Sequence, residues 1–421
     1  MKKIALLFPG QGSQYVGMGK NLFDNHIEAR RVFEEASEAL GYDIKKLCFE
    51  GDMKNLTKTE NAQPAILTVS VAAFRIYMKE IGIKPFLTAG HSLGEFTALT
   101  CAESISFFDC VKIVRDRGRF MQEAVALGNG KMLAVSDIPK EVVEETCGMM
   151  LELGHSVYIS NYNSPSQIVV SGYKNSVEEL EKVLKDKGAR TIPLRVSAPF
   201  HTPLMERAAD RLHNELKKYS FKAPKWPVIA NVKAIPYKDS SEIIDNLKAQ
   251  TILPVRWWDT IEYMDKQAVD TAVEIGPNMI LKALMDKGGT GIKAFAYDNK
   301  SDMRSLGSEV SSGDYEYGKD TVITRAMAIA VCTKNNNLNN DEYRKGVIEP
   351  YRGIECIQEV IEQEERGPSI DEMKQALEML VSVFSTKKVS DEEQRERFEE
   401  LFSATGTKSI LYEFLESIRR T

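Results

Sequence analysis

An apolar run that breaks on a glycine-framed serine and re-forms at once as a helix leaves a chain few folds to choose from. Phe86-Leu87-Thr88-Ala89 leads into Gly90-His91-Ser92-Leu93-Gly94, and Glu95-Phe96-Thr97-Ala98-Leu99 follows without a linker. The order reads strand, sharp turn, helix, as a nucleophile elbow requires. Ser92 stands at the tip. Gly90 and Gly94 let strand and helix cross closely, so the serine can be held in strained backbone geometry with its hydroxyl facing a cleft. The helix after it aims backbone N–H groups at any anion formed there. A glycine-flanked turn carrying an ordinary serine has the same local sequence, so the surroundings must decide.

Composition limits those surroundings. At 421 residues, 43% hydrophobic and 28% charged, the chain has length for two or three cores and the make-up of a soluble globular protein. A net charge of -6 argues against a general nucleic-acid or anionic-membrane binder. Cysteines at 48, 101, 110, 147, 332 and 356 form no Cys-x-x-Cys pair and have no histidine beside them. That pattern predicts reduced thiols in a cytoplasmic protein without a zinc site. The apolar start Ile4-Ala5-Leu6-Leu7-Phe8 stops at Pro9, too short for an export signal and better read as a buried strand. No uninterrupted apolar span of membrane length follows.

After that strand, Pro9-Gly10-Gln11-Gly12-Ser13-Gln14 forms a loop able to cradle phosphate, but Tyr15 stands where a dinucleotide fingerprint needs its third glycine. Helical periodicity covers 22–40 and 63–81, then Phe107 to Ala126, a helix carrying Arg115, Arg117 and Arg119. From Lys131 the rhythm changes. Strand 132–135, helix 139–151, strands 157–159 and 167–172, helix 176–187 and strand 190–194 spell β-α-β-β-α-β, a ferredoxin-like module of about seventy residues inserted in a larger layout. The outer layout resumes at Ser197-Ala198-Pro199-Phe200-His201 with a helix over 203–219, strands at 228–231 and 272–277 with a helix between them, and a last strand at 294–296. The expected organisation is an α/β-hydrolase-like core with a parallel sheet over 1–127 and 198–300, a ferredoxin-like subdomain over 128–197, and a linker with an α-helical C-terminal extension over 301–421. The linker is the polar stretch 307–318. The helices beyond it are expected at 320–333 and 341–365, with capping boxes at Ser369-x-x-Glu372 and Ser390-x-x-Glu393.

A serine hydroxyl needs a base, and the chain holds five histidines, at 26, 91, 155, 201 and 213. His91 adjoins Ser92, but neighbours on an elbow point apart, so packing or hydrogen bonding is its expected role. His26 and His213 fall in polar helical stretches and His155 at a loop edge. His201 follows Ala-Pro-Phe at a strand exit, where an open α/β sheet assembles its site. A loop histidine satisfied by its neighbours is the plainer reading of the same position.

Taken together, Gly10-Gln11-Gly12-Ser13-Gln14, Gly90-His91-Ser92-Leu93-Gly94-Glu95, Arg117-Gly118, Pro199-Phe200-His201 and Gln250 with Pro254-Val255-Arg256-Trp257 occur in the order and spacing of malonyl-CoA:acyl carrier protein transacylases. The chain resembles that family from residue 1 to about 300, inserted module included; residues beyond 300 lie outside the resemblance. The resemblance implies Ser92 as nucleophile, His201 as its general base and acid, and Gln250 orienting the imidazole through its backbone carbonyl, so that the buried acid of a hydrolase triad is absent. It further implies an oxyanion hole from the backbone N–H groups of Gln11 and Leu93. Arg117 is implied as the grip on the malonyl carboxylate, through two parallel hydrogen bonds that lysine cannot reproduce. Arg115 and Arg119 read as exposed helix arginines. Phe200 departs from housekeeping fatty-acid members, which often carry a small residue there, and is similar to malonyl-selective polyketide acyltransferases. Its ring, with Leu93, is expected to disfavour an α-methyl branch, a preference worth about 1 to 3 kcal/mol. Asn161 and Asn163 are candidates for the cleft between subdomains, or turn formers.

These implications describe transfer of malonyl from malonyl-CoA, as substrate, to the phosphopantetheine thiol of an acyl carrier protein, with no metal or redox cofactor, in fatty-acid or polyketide synthesis. Three alternatives share parts of the pattern: a serine acyl hydrolase or thioesterase, an acyltransferase indifferent to malonyl, and a docking protein whose C-terminal helices recruit polyketide synthase modules.

Overall fold

The computed structural model describes residues 2–124, 129–194, 196, 198–312, 321–337, 339–363, 368–405 and 407–419. Two compact units divide the chain, one of residues 2–76 with 85–306 and one of residues 77–84 with 307–421. Among the described residues the strands are β1 (Ile4–Phe8), β2 (Leu87–Gly90), β3 (Gly130–Ser136), β4 (Val157–Ser164), β5 (Gln167–Tyr173), β6 (Arg190–Pro193), β7 (Ile229–Ala230), β8 (Ile235–Pro236), β9 (Thr271–Glu274) and β10 (Lys293–Ala296).

In the first unit, β1 lies between β9 and β2 in a parallel sheet ordered β10-β9-β1-β2. All five residues of β1 are buried. A strand with parallel neighbours on both edges is covered on both faces, which is why its sequence is a continuous apolar run. The register sets Phe8 opposite Gly90, so the loop after β1 and the turn after β2 leave the sheet side by side. His91 N–H donates to the Phe8 carbonyl at 3.0 Å. A side chain at Gly94 would collide with that same carbonyl oxygen, so only glycine lets the helix Leu93–Cys101 start there. The expected strand at 228–231 is shorter than its apolar run. β7 pairs with β8 as a hairpin, and Val228 makes a single parallel bridge to Thr88 beside β2.

β3 to β6 form a separate antiparallel sheet ordered β4-β5-β3-β6, with helices Lys140–Glu152 and Lys174–Asp186 in the β-α-β-β-α-β sequence. That strand order is the ferredoxin-like one. Its core gathers Leu133, Val135, Val143, Val170, Val177 and Leu180. The expected junctions near 127 and 197 fall on 125–128, 195 and 197, which lie outside the described residues, as do the last residues of the helix expected to reach 126. Strand β4 meets the larger layout through Tyr162 N–H to Val255 O at 3.0 Å and Val255 N–H to Ser160 O at 2.9 Å.

Several boundaries differ from the sequence pattern: the strand expected over 272–277 ends at Glu274, and the helix expected over 341–365 is interrupted by a π-turn over Arg344–Ile348. The helix expected over 22–40 is two, Lys20–Asn25 and Ile27–Leu40, because His26 is extended at φ -128°, ψ 128°. The polar stretch 307–318 is not wholly a linker: 307–312 complete the helix Lys300–Ser312, and 313–318 lie outside the described residues. Asn299 caps that helix by accepting from Ser301 and Asp302 N–H at 2.9 and 3.1 Å, and Leu306 is buried. One internal glycine costs only about 1 kcal/mol, too little to end a capped helix.

The second unit has its own core, with Ile354, Leu377, Leu380, Phe384, Phe398 and Phe402 among its members. Its helices include Thr321–Cys332, Glu349–Gln363, Ile370–Lys387, Asp391–Thr405 and Lys408–Arg419. Ser369 and Glu372 close both halves of a capping box, and Ser390 Oγ accepts from Glu393 N–H at 3.3 Å. Buried Lys387 donates to the Ala330 and Thr333 carbonyls at 2.6 and 2.8 Å, capping the end of Thr321–Cys332.

Candidate active site

Ser92 occupies φ 54°, ψ -104°, a conformation that a non-glycine residue adopts only when its surroundings enforce it. Four bonds do so. Its N–H donates to Asn231 Oδ1 at 2.7 Å, Gly94 N–H closes the turn on the His91 carbonyl at 2.9 Å, and the Ser92 carbonyl accepts from Glu95 N–H at 3.1 Å and from Gln250 Nε2 at 2.8 Å. The side chain is thereby held off the strand, with Oγ 2.8 Å from His201 Nε2. His201 Nδ1 lies 2.6 Å from the Gln250 carbonyl oxygen. A carbonyl only accepts, so Nδ1 carries the hydrogen and Nε2 is left bare to take the serine proton. Among the described residues no carboxylate is hydrogen-bonded to His201. Burial, reinforced by the Arg117 charge, pushes the imidazole down to about 3, so it stands neutral with Nε2 able to accept a proton.

Arg117 comes from the helix Phe107–Glu123 and is buried. The glycine after it matters: a side chain at Gly118 would strike the backbone of Thr59 and Glu60 and hold the two helices apart. Nη2 donates to Ser92 Oγ at 3.1 Å and to Gln250 Oε1 at 2.8 Å, Nη1 donates to Gln63 Oε1 at 2.8 Å, and Nε has no partner among the described residues. The guanidinium lies over the Phe96 ring, 5.2 Å from its centroid. Burial brings it down to about 10, with Glu95 opposing the shift. Arg115 and Arg119 go elsewhere, to the Leu40 carbonyl at 3.2 Å and to Asp116 at 2.9 Å.

The backbone N–H groups of Gln11 and Leu93 have no hydrogen-bond partner among the described residues, while the Gln11 side chain turns away to Thr59 Oγ1 at 3.4 Å. Two unpaired donors at the ends of β1 and β2 suit a developing oxyanion. Phe200 is buried immediately before His201. Asn163 is not brought to the nucleophile. Its Oδ1 meets His91 Nε2 at 2.9 Å and its Nδ2 donates to Gln167 at 3.0 Å, so it steadies the residue before Ser92. Asn161 Oδ1 accepts from Ser160 Oγ at 2.8 Å.

Four residues that sequence reasoning did not single out complete the arrangement: Gln63, Glu95, Asn231 and Tyr237. Glu95 is fully buried, accepting from Tyr237 O–H on one oxygen and from Gln250 Nε2 at 2.6 Å and Asn231 N–H at 3.2 Å on the other. Burial raises it to about 7, against the pull of those donors and of Arg117. Its place three residues after Ser92, in the first turn of the elbow helix, was the available signal. Among the described residues no cluster of His, Cys, Asp and Glu is arranged to hold a metal ion, and no helix is long and apolar enough to cross a membrane.

A strained serine, a carbonyl-oriented imidazole and a buried cation touching the hydroxyl suit acyl transfer through a serine ester, and the acyl transferase domain family matches residues 5–310. The chain belongs to that family. Within it, the chain is similar to a malonyl CoA-acyl carrier protein transacylase of Bacillus subtilis, 37% identical over 395 residues, which are 94% of this chain and 99% of the relative. It is also similar to the malonyl CoA-acyl carrier protein transacylase of Bacillus subtilis strain 168, 44% identical over 297 residues, 70% of this chain and 93% of the relative. Among solved structures, PlMCAT:AntF, a type II PKS acyl-carrier protein in complex with its malonyl-transacylase, aligns at TM-score 0.70 and 38% identity, over 72% of this chain and 98% of that one. The 395-residue alignment is longer than the stretch from 5 to 310, so it takes in part of the C-terminal helical unit.

Proposed function

We propose that the chain moves a malonyl group from malonyl-CoA to the phosphopantetheine thiol of an acyl carrier protein by way of a malonyl-Ser92 ester. The observation that carries this reading is the buried Arg117, whose Nη2 reaches the serine hydroxyl at 3.1 Å: a free acyl carboxylate is the group that such a guanidinium would recognise. In the first half-reaction His201 Nε2 takes the Ser92 proton while Oγ attacks the thioester carbonyl. The tetrahedral oxyanion accepts from Gln11 and Leu93 N–H; it then collapses, the C–S bond breaks, and the departing thiolate takes the proton from His201. In the second, His201 deprotonates the carrier thiol, sulfur attacks the ester, and the proton returns to Ser92 Oγ. Base, nucleophile and oxyanion donors are all supplied by the chain, so the reading calls for no metal or cofactor. Phe200 before the histidine favours malonyl over α-branched acyl groups and inclines the reading to polyketide synthesis, with synthase modules as partners of the C-terminal helices. Six cysteines free of disulfides support a cytoplasmic setting.

Intact-mass measurement after mixing with malonyl-CoA tests the reading. The wild-type chain is expected to gain one malonyl group and Ser92→Ala none, and the adduct is expected to pass to an added carrier thiol. An adduct that survives Ser92→Ala would overturn the assignment.

A further inference from the structure

One buried anion reaches the serine, the histidine and the arginine of the site through two intermediaries. The Glu95 carboxylate, at 0% exposure, accepts from Gln250 Nε2 at 2.6 Å and Asn231 N–H at 3.2 Å, and Tyr237 O–H fixes its other oxygen. The Gln250 amide then spans an anion and a cation, its nitrogen donating to Glu95 and to the Ser92 carbonyl, the latter at 2.8 Å, and its oxygen accepting from Arg117 Nη2 at 2.8 Å. The backbone carbonyl of the same residue holds His201 at 2.6 Å. Asn231 passes the anchorage on in the other direction, giving Oδ1 to Ser92 N–H at 2.7 Å and donating to the Gly90 carbonyl at 2.7 Å. Among the described residues the Arg117 guanidinium hydrogen-bonds only to neutral groups, Gln63, Gln250 and Ser92, so Glu95 answers its charge across one polarised amide. A buried chain of this kind is stiff only while every link is made.

We propose that Glu95 is a positioning residue for substrate choice: acting through Gln250, it fixes the Arg117 guanidinium where an acyl carboxylate must meet it. The inference rests on the reading of Arg117 as the carboxylate grip. Replacing the carboxylate by an amide of equal size makes its bond to Gln250 neutral where it was charge-assisted, sets an N–H₂ group against one of the present donors and leaves the buried cation without its answering charge, while Gln250 keeps its bond to the Ser92 carbonyl. The loss falls on substrates that use Arg117. Damage to the elbow alone would slow every acyl donor alike.

The test is the rate of acyl-Ser92 formation by intact mass, with malonyl-CoA and with acetyl-CoA, at pH 8. Losing a charge-assisted hydrogen bond is worth about tenfold or more in rate. Glu95→Gln is therefore expected to lower the malonyl-to-acetyl rate ratio about tenfold. Tyr237→Phe removes one neutral donor from the same carboxylate and is expected to lower the ratio roughly threefold; it decides the matter if Glu95→Gln does not fold. An unchanged ratio, or an equal fall of both rates, overturns the proposal. A wild-type chain that accepts no malonyl group at all overturns the reading of Arg117 instead, and the two failures are told apart by that control.

Discussion

The contact between Arg117 and Ser92 asks for more than a positive charge. Nη1 and Nη2 are engaged at once, by Gln63 on one side and by Gln250 and the serine on the other, and a planar fork does this where an ammonium cannot. Arg117→Lys keeps the charge but loses the paired geometry, so kcat/KM for malonyl-CoA is expected to fall by about 1.5 to 3 kcal/mol, read by steady-state transfer to a carrier protein, while retention of wild-type kcat/KM would refute a forked grip. At this scale the sequence was legible where chemistry imposes a local signature. Ser92 sits in a turn that few residues can make and Arg117 is followed by the glycine that its helix crossing needs, whereas His201, expected at a strand exit of the main layout, lies in a loop at φ 60°, and the strand before it, β6 of the inserted sheet, ends at Pro193. Gln63, Asn231 and Tyr237 carry no such mark. Each is an ordinary residue in its own segment and gains meaning only where segments far apart in the chain converge. Glu95 belonged to the quoted motif, yet its use as an anchor for Gln250 and Asn231 depends on those convergences too.

Between elements, buried carboxylates hold helix starts against the sheet. Glu274 ends β9 and accepts from Ile280 and Lys282 N–H at 3.1 and 2.9 Å, the first turn of the helix Ile280–Gly288. Burial lifts it from the ordinary 4.5 to about 7, with those N–H donors pulling the other way. A raised pKa means that the folded chain holds the proton to higher pH than the unfolded chain does. Its stabilising share is complete below about 4.5 and is lost as pH rises through 7. Glu274→Gln cannot ionise, so its stability should decline less than that of the wild type between pH 4.5 and pH 8, by on the order of 3 kcal/mol. Chemical unfolding at the two pH values checks this, and parallel curves would contradict it. Element type was readable from periodicity, because the buried faces of strand and helix repeat differently. Element ends were less so: the break at His26 and the helical 307–312 follow from backbone geometry and from the Asn299 cap, which hydropathy does not report.

For the whole molecule, the separate core of the C-terminal helices means that acyl chemistry need not depend on them. A chain ending after Ser312 is expected to form the malonyl adduct and to serve an isolated carrier protein at the full-length rate, while losing transfer within a synthase assembly; competing the two chains in both settings measures the difference. A truncated chain that folds yet cannot be acylated would tie the helices to catalysis. The carbonyl behind His201 bears on the same scale. An uncharged partner steadies imidazolium less than a carboxylate does, so the base has little strength to spare for activating water, whose pKa lies far above that of a thiol. The loaded ester can therefore outlast the departure of one large molecule and the arrival of another, and patience of this kind separates a courier from a hydrolase.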